Sequence, residues 1–175
     1  MLILVSLQIL SKNVTKSSQI KYGGKMSPIK IFGSLEGQWH LLRTFRSHSG
    51  DYMGKFEGLA QFLRLSSTCF HYKEQGTMTL GNNAPVEATK EYFYSFMNDN
   101  ISVFFDSKLE NLYHTVNFSE KTLPLGNHYC SPDTYITKYH FEGLPANFSH
   151  ECSVRGPNKD YVILSNYRKT TENGY

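Results

Sequence analysis

Between residues 37 and 168 the chain is a run of short segments in which apolar and polar residues alternate, each ended by turn-forming residues. Side chains alternate faces along a strand, so a period of two marks a sheet with one buried face. The segment 68–80 is the clearest. Phe70, Tyr72, Glu74, Met78 and Leu80 share one parity, and His71, Lys73, Gln75, Thr77 and Thr79 take the other. Gly81-Asn82-Asn83 then supplies turn chemistry. Comparable strands are predicted over 38–46, 54–65, 86–97, 101–105, 112–118, 134–141, 147–154 and 161–168. That is about nine strands, with no internal repeat and no sustained helical period. Even spacing and hairpin turns favour a barrel over a Greek-key sandwich. The expected fold is all-β: a single antiparallel up-and-down closed barrel of about 8–10 strands.

Local details sharpen this expectation. Gly58 and Ala60 sit on the inward parity of their strand, as a sharply bent barrel corner requires. Asn98-Asp99-Asn100 predicts a tight hairpin. Phe32 to Leu35 reads as a short helical turn able to lid one end, and 120–132 as the longest irregular stretch. Residues 1–10 are apolar but lack the basic start and cleavage site of an export signal, and 11–25 are polar. The expected organisation is a leader over 1–32, a barrel over 33–170 and a tail over 171–175, with 1–25 disordered or upstream of a working start at Met26.

Gly37-Gln38-Trp39 opens the first strand, Lys159-Asp160-Tyr161 opens the last, and Arg168 closes it. Closure requires those strands to pair, and the indole of Trp39 would plug the base with the Arg168 guanidinium stacked on its face. Through these residues the chain resembles the calycin superfamily of lipocalin-like barrels. It more closely resembles an uncharacterised family of small lipocalin-like barrels. The matching elements are Gly37-x-Trp39-x-x-x-Arg43, Tyr72-x-Glu74-x-Gly76, His128-x-Cys130-x-x-Asp133-x-Tyr135 and Val154-x-Gly156-Pro157-x-Lys159-Asp160-Tyr161, within 33–169. Lys90 stands where an Arg is usual, and Phe148 where a Trp is usual. The resemblance implies a fold and no particular reaction.

The chain carries 12 Tyr, 12 Phe and 1 Trp. A filled barrel would use more Val, Ile and Leu, so an aromatic-lined hollow is expected. Its candidate ligand-binding residues are Arg43, Tyr72, Glu74, Tyr92, Tyr94, His128, Tyr135 and Tyr139, with Phe141 beside them. Arg43 would anchor a ligand carboxylate or else pair internally with Glu74. His128, Cys130 and Asp133 are candidate catalytic residues for an isomerase or lyase at the barrel mouth, or else a tied-down loop. The strand residues His71, His114, His140 and His150 leave a haem or tetrapyrrole pocket open. No metal site is assigned and the cofactor is left unknown.

The leading functional reading is therefore a binding protein for a small hydrophobic or amphipathic molecule, ahead of the enzyme, the tetrapyrrole barrel and a ligand-free module. A net charge of +3 without a basic run gives no nucleic-acid signature. The apolar start is too short to span a bilayer. Three cysteines (Cys69, Cys130 and Cys152) are no disulfide framework, and a reducing, cytoplasmic setting is the simpler expectation.

Overall fold

The computed structural model of the protein describes residues 26–118 and 123–170. The leader expected over 1–25 and the tail over 171–175 lie outside the described residues. A short helix, α1 (Pro28–Ser34), precedes ten antiparallel strands: β1 (Gly37–Ser47), β2 (Tyr52–Ser66), β3 (Cys69–Leu80), β4 (Val86–Met97), β5 (Asn100–Phe104), β6 (Leu112–Val116), β7 (Leu125–Cys130), β8 (Asp133–His140), β9 (Asn147–Gly156) and β10 (Lys159–Lys169). They form one sheet in the order β6-β5-β4-β3-β2-β1-β10-β9-β8-β7. Two meanders are thus joined through β1 and β10, whose ladder runs from Trp39 opposite Lys169 to Ser47 opposite Tyr161. The first strand does pair with the last. The free edges are β6 and β7, so the barrel is nearly closed, with its seam between these two strands. One antiparallel bridge, Asn117 with Leu125, spans that seam among the described residues.

The expected irregular stretch 120–132 holds β7, which sequence reading passed over. Its inward positions are Gly126, His128 and Cys130, none of them a large aliphatic residue, so the strand has no apolar alternation to read. A Cβ on Gly126 would lie 2.5 Å from the His114 ring, so the missing side chain makes room for an imidazole from the opposite edge of the seam. The hairpin between β4 and β5 matches expectation. Asn98 and Asp99 hold φ of 50° and 57°, the left-handed pair that a two-residue hairpin turn needs.

At the corner between β2 and β3, Gly58 faces Gly76 across the ladder. A Cβ on Gly58 would sit 2.2 Å from the Gln75 carbonyl oxygen and 2.6 Å from the Gly76 Cα. Two glycines here let the strands press together and bend, as the small residues predicted.

The base is filled and lidded. Helix α1 begins with Pro28, whose fixed φ suits the first helical turn, and it buries Ile31 and Phe32. Phe32 stacks on Phe70 at 4.5 Å and packs against Phe96 at 5.6 Å. Helix α1 thus packs as part of the barrel base, with Phe32, one residue before the boundary expected at 33, among the best-buried side chains. Trp39 is fully buried. Its indole Nε1 donates to the Leu35 carbonyl oxygen at 2.8 Å, and its ring meets Phe148 edge-on at 4.9 Å.

The cation on the indole is Lys169, with its Nζ 4.3 Å from the ring centroid, and not Arg168. Register explains this correction. Lys169 is directly opposite Trp39 and shares its face, while Arg168 is opposite His40 and points outward. Lys169 Nζ also donates to the Glu36 carbonyl. Among the described residues no helix is long and apolar enough to cross a membrane.

Three tests follow from this packing. Trp39→Ala should cost about 3–5 kcal/mol by urea denaturation, as deletion of a buried aromatic does. Lys169→Met should cost about 0.5–1 kcal/mol, whereas Arg168→Gln should leave the midpoint unchanged. Gly76→Ala should cost about 1–3 kcal/mol, because a Cβ there meets backbone that must move.

Candidate functional site

Above the aromatic base the barrel interior changes character. A cavity of about 280 Å³ occupies the other end, walled by Tyr, His and charged side chains from β1, β3, β4, β6, β7, β8, β9 and β10. All eight residues put forward from sequence border it: Arg43, Tyr72, Glu74, Tyr92, Tyr94, His128, Tyr135 and Tyr139. Phe141 belongs instead to the packed base. Sequence reading did not assign Lys90, Phe105, Tyr113, Cys152 or Tyr167 to the wall, and it left His114 and His150 undistinguished from other strand histidines. Strand parity would have found Lys90 beside Tyr92 and Tyr167 beside Ser165, whereas Tyr113 and His114 are adjacent residues that share the wall where the β5–β6 register shifts between His114 and Leu112.

The deep wall is a hydrogen-bonded network. Arg43 Nη1 and Nη2 donate to the two Glu74 carboxylate oxygens at 2.6 and 2.8 Å, and Arg43 Nε donates to Ser165 Oγ at 2.9 Å. The guanidinium also lies over the Phe56 ring, 5.4 Å from its centroid. Of the two roles open to Arg43, the structure shows the internal pair, so its fork is already engaged. Tyr72 donates its hydroxyl proton to Glu74 Oε2. The Tyr72 hydroxyl lies 3.1 Å from that of Tyr167, which in turn lies 3.3 Å from His150 Nε2.

Burial sets the protonation states around this network. It opposes the Arg43 charge, but the Glu74 hydrogen bond and the nearby hydroxyl of Tyr167 outweigh it and hold the guanidinium pKa above its ordinary value. Burial likewise favours neutral Glu74, and the Arg43 hydrogen bond and charge overcome it, leaving the carboxyl below the usual range. Desolvation raises Tyr72, Tyr94 and Tyr139 well above the ordinary phenol value, and pushes Tyr92 and Tyr167 up to about 12. It lowers His114 to about 3 and His150 well below 6.5, so both imidazoles are neutral at physiological pH.

The mouth is an aromatic panel along the seam. Tyr92 stacks on Tyr113 at 5.3 Å and 11°, Phe105 leans on both, and His128 packs against Tyr113 at 4.7 Å. His128 Nδ1 donates to the Tyr113 carbonyl oxygen at 2.7 Å, bridging β7 to β6 where the backbone ladder stops. His114 Nε2 meets the Tyr139 hydroxyl at 2.7 Å. Phe105 and Cys130 are exposed at this opening. Lys90, one position before Tyr92 on the inward parity, is an exposed residue that borders the cavity. Its ammonium lies 5.5 Å from the Tyr92 ring centroid, and desolvation followed by the Arg43 charge lowers its pKa.

The proposed catalytic set does not assemble as expected. His128 and Cys130 lie on strand β7, not in a loop, and both border the cavity. Asp133 does not border it. Its carboxylate is held by Lys159 Nζ at 2.6 Å, and Lys159 also donates to the Tyr135 hydroxyl at 2.8 Å. Gly156 leaves room for that carboxylate, since a Cβ there would overlap Asp133 Oδ1. The Lys-Asp-Tyr opening of β10 thus clasps the mouth: Lys159 holds β8, Asp160 meets His48, and Tyr161 pairs with Ser47. Among the described residues no group of three or more His, Cys, Asp or Glu could hold a metal ion.

A serine–histidine–aspartate arrangement occurs on the outer wall. His48 Nε2 lies 3.0 Å from Ser153 Oγ, and Asp160 Oδ1 lies 2.8 Å from Nδ1 but outside hydrogen-bonding alignment. The Asp160 side chain is 71% exposed, and Ser153 borders neither this cavity nor the groove outside β1, β9 and β10. The cluster ties the end of β1 to β9 and β10.

The buried network makes two stability predictions. Glu74→Gln should cost about 3–5 kcal/mol by leaving the buried guanidinium without its counter-charge, and Arg43→Met with Glu74→Leu should recover most of that loss. His114 and His150 have folded pKa values depressed from 6.5, so their contribution is complete above that pH. It falls below it as the unfolded chain takes up protons that the folded one refuses. Urea midpoints should therefore drop from neutral pH to about pH 5, and less steeply in His150→Phe.

The chain is similar to several solved structures. The S-type phycobiliprotein lyase CPES from Guillardia theta superposes with a TM-score of 0.62 at 10% identity, over 86% of this chain and 96% of that one. EF1p2_mFAP2b bound to DFHBI gives 0.43 at 11% identity, over 82% and 100%. A de novo designed fluorescence-activating β-barrel gives 0.42 at 11%, over 83% and 100%. At such identity the lyase shares the fold alone. No curated protein matches the sequence. The matching stretch of sequence runs over residues 35–169, from the carbonyl that receives the Trp39 indole proton to the lysine that covers its ring, and by that match the chain belongs to DUF6314, a family of unknown function.

Proposed function

We propose that this protein binds a small, partly apolar molecule in the cavity at the seam end of the barrel. The observation that carries this reading is the division of the interior. One end is packed with Phe, Leu and Trp beneath α1, and the other holds about 280 Å³ of space between aromatic rings and a few fixed polar groups. Ligand pockets combine apolar walls with a small number of oriented polar atoms over about 300–1,000 Å³. At about 280 Å³ this cavity falls just below that range. A barrel that needed only stability would gain by filling the space, since a buried ion pair rarely outperforms well-packed apolar residues.

Binding needs no nucleophile–base pair. The histidines of the wall spend one ring nitrogen each on structural hydrogen bonds, which suits orientation of a ligand more than proton transfer.

The neutral fluorescent probe N-phenyl-1-naphthylamine should saturate one site per chain. Cys152→Phe, which fills the cavity from β9, should weaken that binding at least about tenfold while circular dichroism and the unfolding midpoint show a folded chain. Undiminished binding by the folded variant would place the site elsewhere and sink the reading.

A further inference from the structure

The cavity wall has a defined hydrogen-bond polarity. Ionised Glu74 accepts only, so the Tyr72 proton goes to it. The Tyr72 oxygen, 3.1 Å from the Tyr167 hydroxyl, then accepts that group's proton. The Tyr167 oxygen, 3.3 Å from His150 Nε2, accepts in turn from the imidazole. Any other assignment leaves two of these facing atoms without a proton between them. His150 therefore carries its hydrogen on Nε2, and Nδ1 is a bare acceptor. That Nδ1 is buried and makes no hydrogen bond among the described residues. At the seam the Tyr113 carbonyl receives a proton from His128 Nδ1, and only the neutral form of this cavity-lining ring keeps a lone pair on Nε2.

Charge points the same way. Glu74 stands opposite Lys90 in the β3–β4 ladder, yet both of its oxygens are taken by Arg43, one of them also by Tyr72. No carboxylate lies within ion-pair distance of the Lys90 ammonium among the described residues. The cavity thus contains Arg43⁺ matched by Glu74⁻, and a further cation without a partner. Its lining includes several aromatic rings, among them Tyr92 and Tyr113, which are nearly parallel.

Resting on the binding reading above, we infer that the ligand is a small aromatic acid that also carries a hydroxyl or ring N–H donor. Its anion sits against Lys90, its ring lies along the Tyr92–Tyr113 panel, and its donor reaches the free nitrogen of His150. A buried acceptor left unsatisfied costs more than a made hydrogen bond gains, so a molecule lacking the donor is discriminated against. A neutral molecule forfeits the charge-assisted contact at Lys90.

Three probes separate these contributions by isothermal titration calorimetry: 4-hydroxycinnamate, its methyl ester without the charge, and 4-methoxycinnamate without the donor. The first should bind at least about tenfold tighter than either of the others. Lys90→Met should abolish the preference over the ester and keep the preference over the methoxy compound. His150→Phe should do the reverse. Equal affinity for all three, or no binding of any by a chain that still binds N-phenyl-1-naphthylamine, would overturn this inference and leave cavity binding standing. If neither the neutral probe nor the acids bind, the cavity reading itself falls.

Discussion

The ladder between β1 and β10 decides where everything else in this protein can be. These strands lie at opposite ends of the barrel sequence, and pairing them over the length of β1 fuses a six-strand meander to a four-strand one. A sheet that closes there must leave its free edges elsewhere, at β6 and β7. Consecutive strands of an up-and-down barrel ordinarily share a full ladder. Here they share one backbone bridge near the base, and side chains continue the join towards the mouth: His114 over Gly126, then His128 on the Tyr113 carbonyl. The residues that zip the seam are also the residues that line the cavity. Closure and site are one problem solved at one place.

The interior is divided accordingly. Beneath α1 the rings of Phe32, Phe70, Trp39 and Phe148 interlock, and this half supplies the apolar burial that stabilises a single domain. The seam half buries an arginine, a glutamate, several phenols and two neutral histidines. That is an expensive interior unless each polar atom is met. Nearly all are, in a chain running from Ser165 through Arg43, Glu74, Tyr72 and Tyr167 to His150. Two of the atoms left over, Nδ1 of His114 and of His150, belong to rings that border the hollow, so the hydrogen-bond direction bears on what belongs there.

Much of this was legible in the alternation of residues. Parity placed Arg43, Glu74, Tyr72 and Tyr92 inside because a strand has only two faces, and one register fixes all of its side chains. Gly58 on the bent strand and the Asn98-Asp99 turn were legible from local chemistry, while the partner Gly76 emerged only from the β2–β3 ladder. What failed to show was β7. A strand whose inward positions are Gly, His and Cys has no hydrophobic period, because its partner across the seam fills the space for it. The cation on the indole was missed by one residue. Arg168 and Lys169 are equivalent as sequence, and only the register opposite Trp39 separates them.

By itself the sequence determined the class of fold, the identity of its end strands and most of the inward-facing residues, since these follow from a two-residue period and from turn chemistry, which are local. Tertiary structure decided which of those residues spend their hydrogen bonds on one another. Arg43 could have held a ligand, and instead it holds Glu74; Lys90, noted in sequence only as a departure from a pattern, is left as the unpaired charge. Such choices depend on distances across the barrel between strands far apart in the chain, and no periodicity along the chain encodes them.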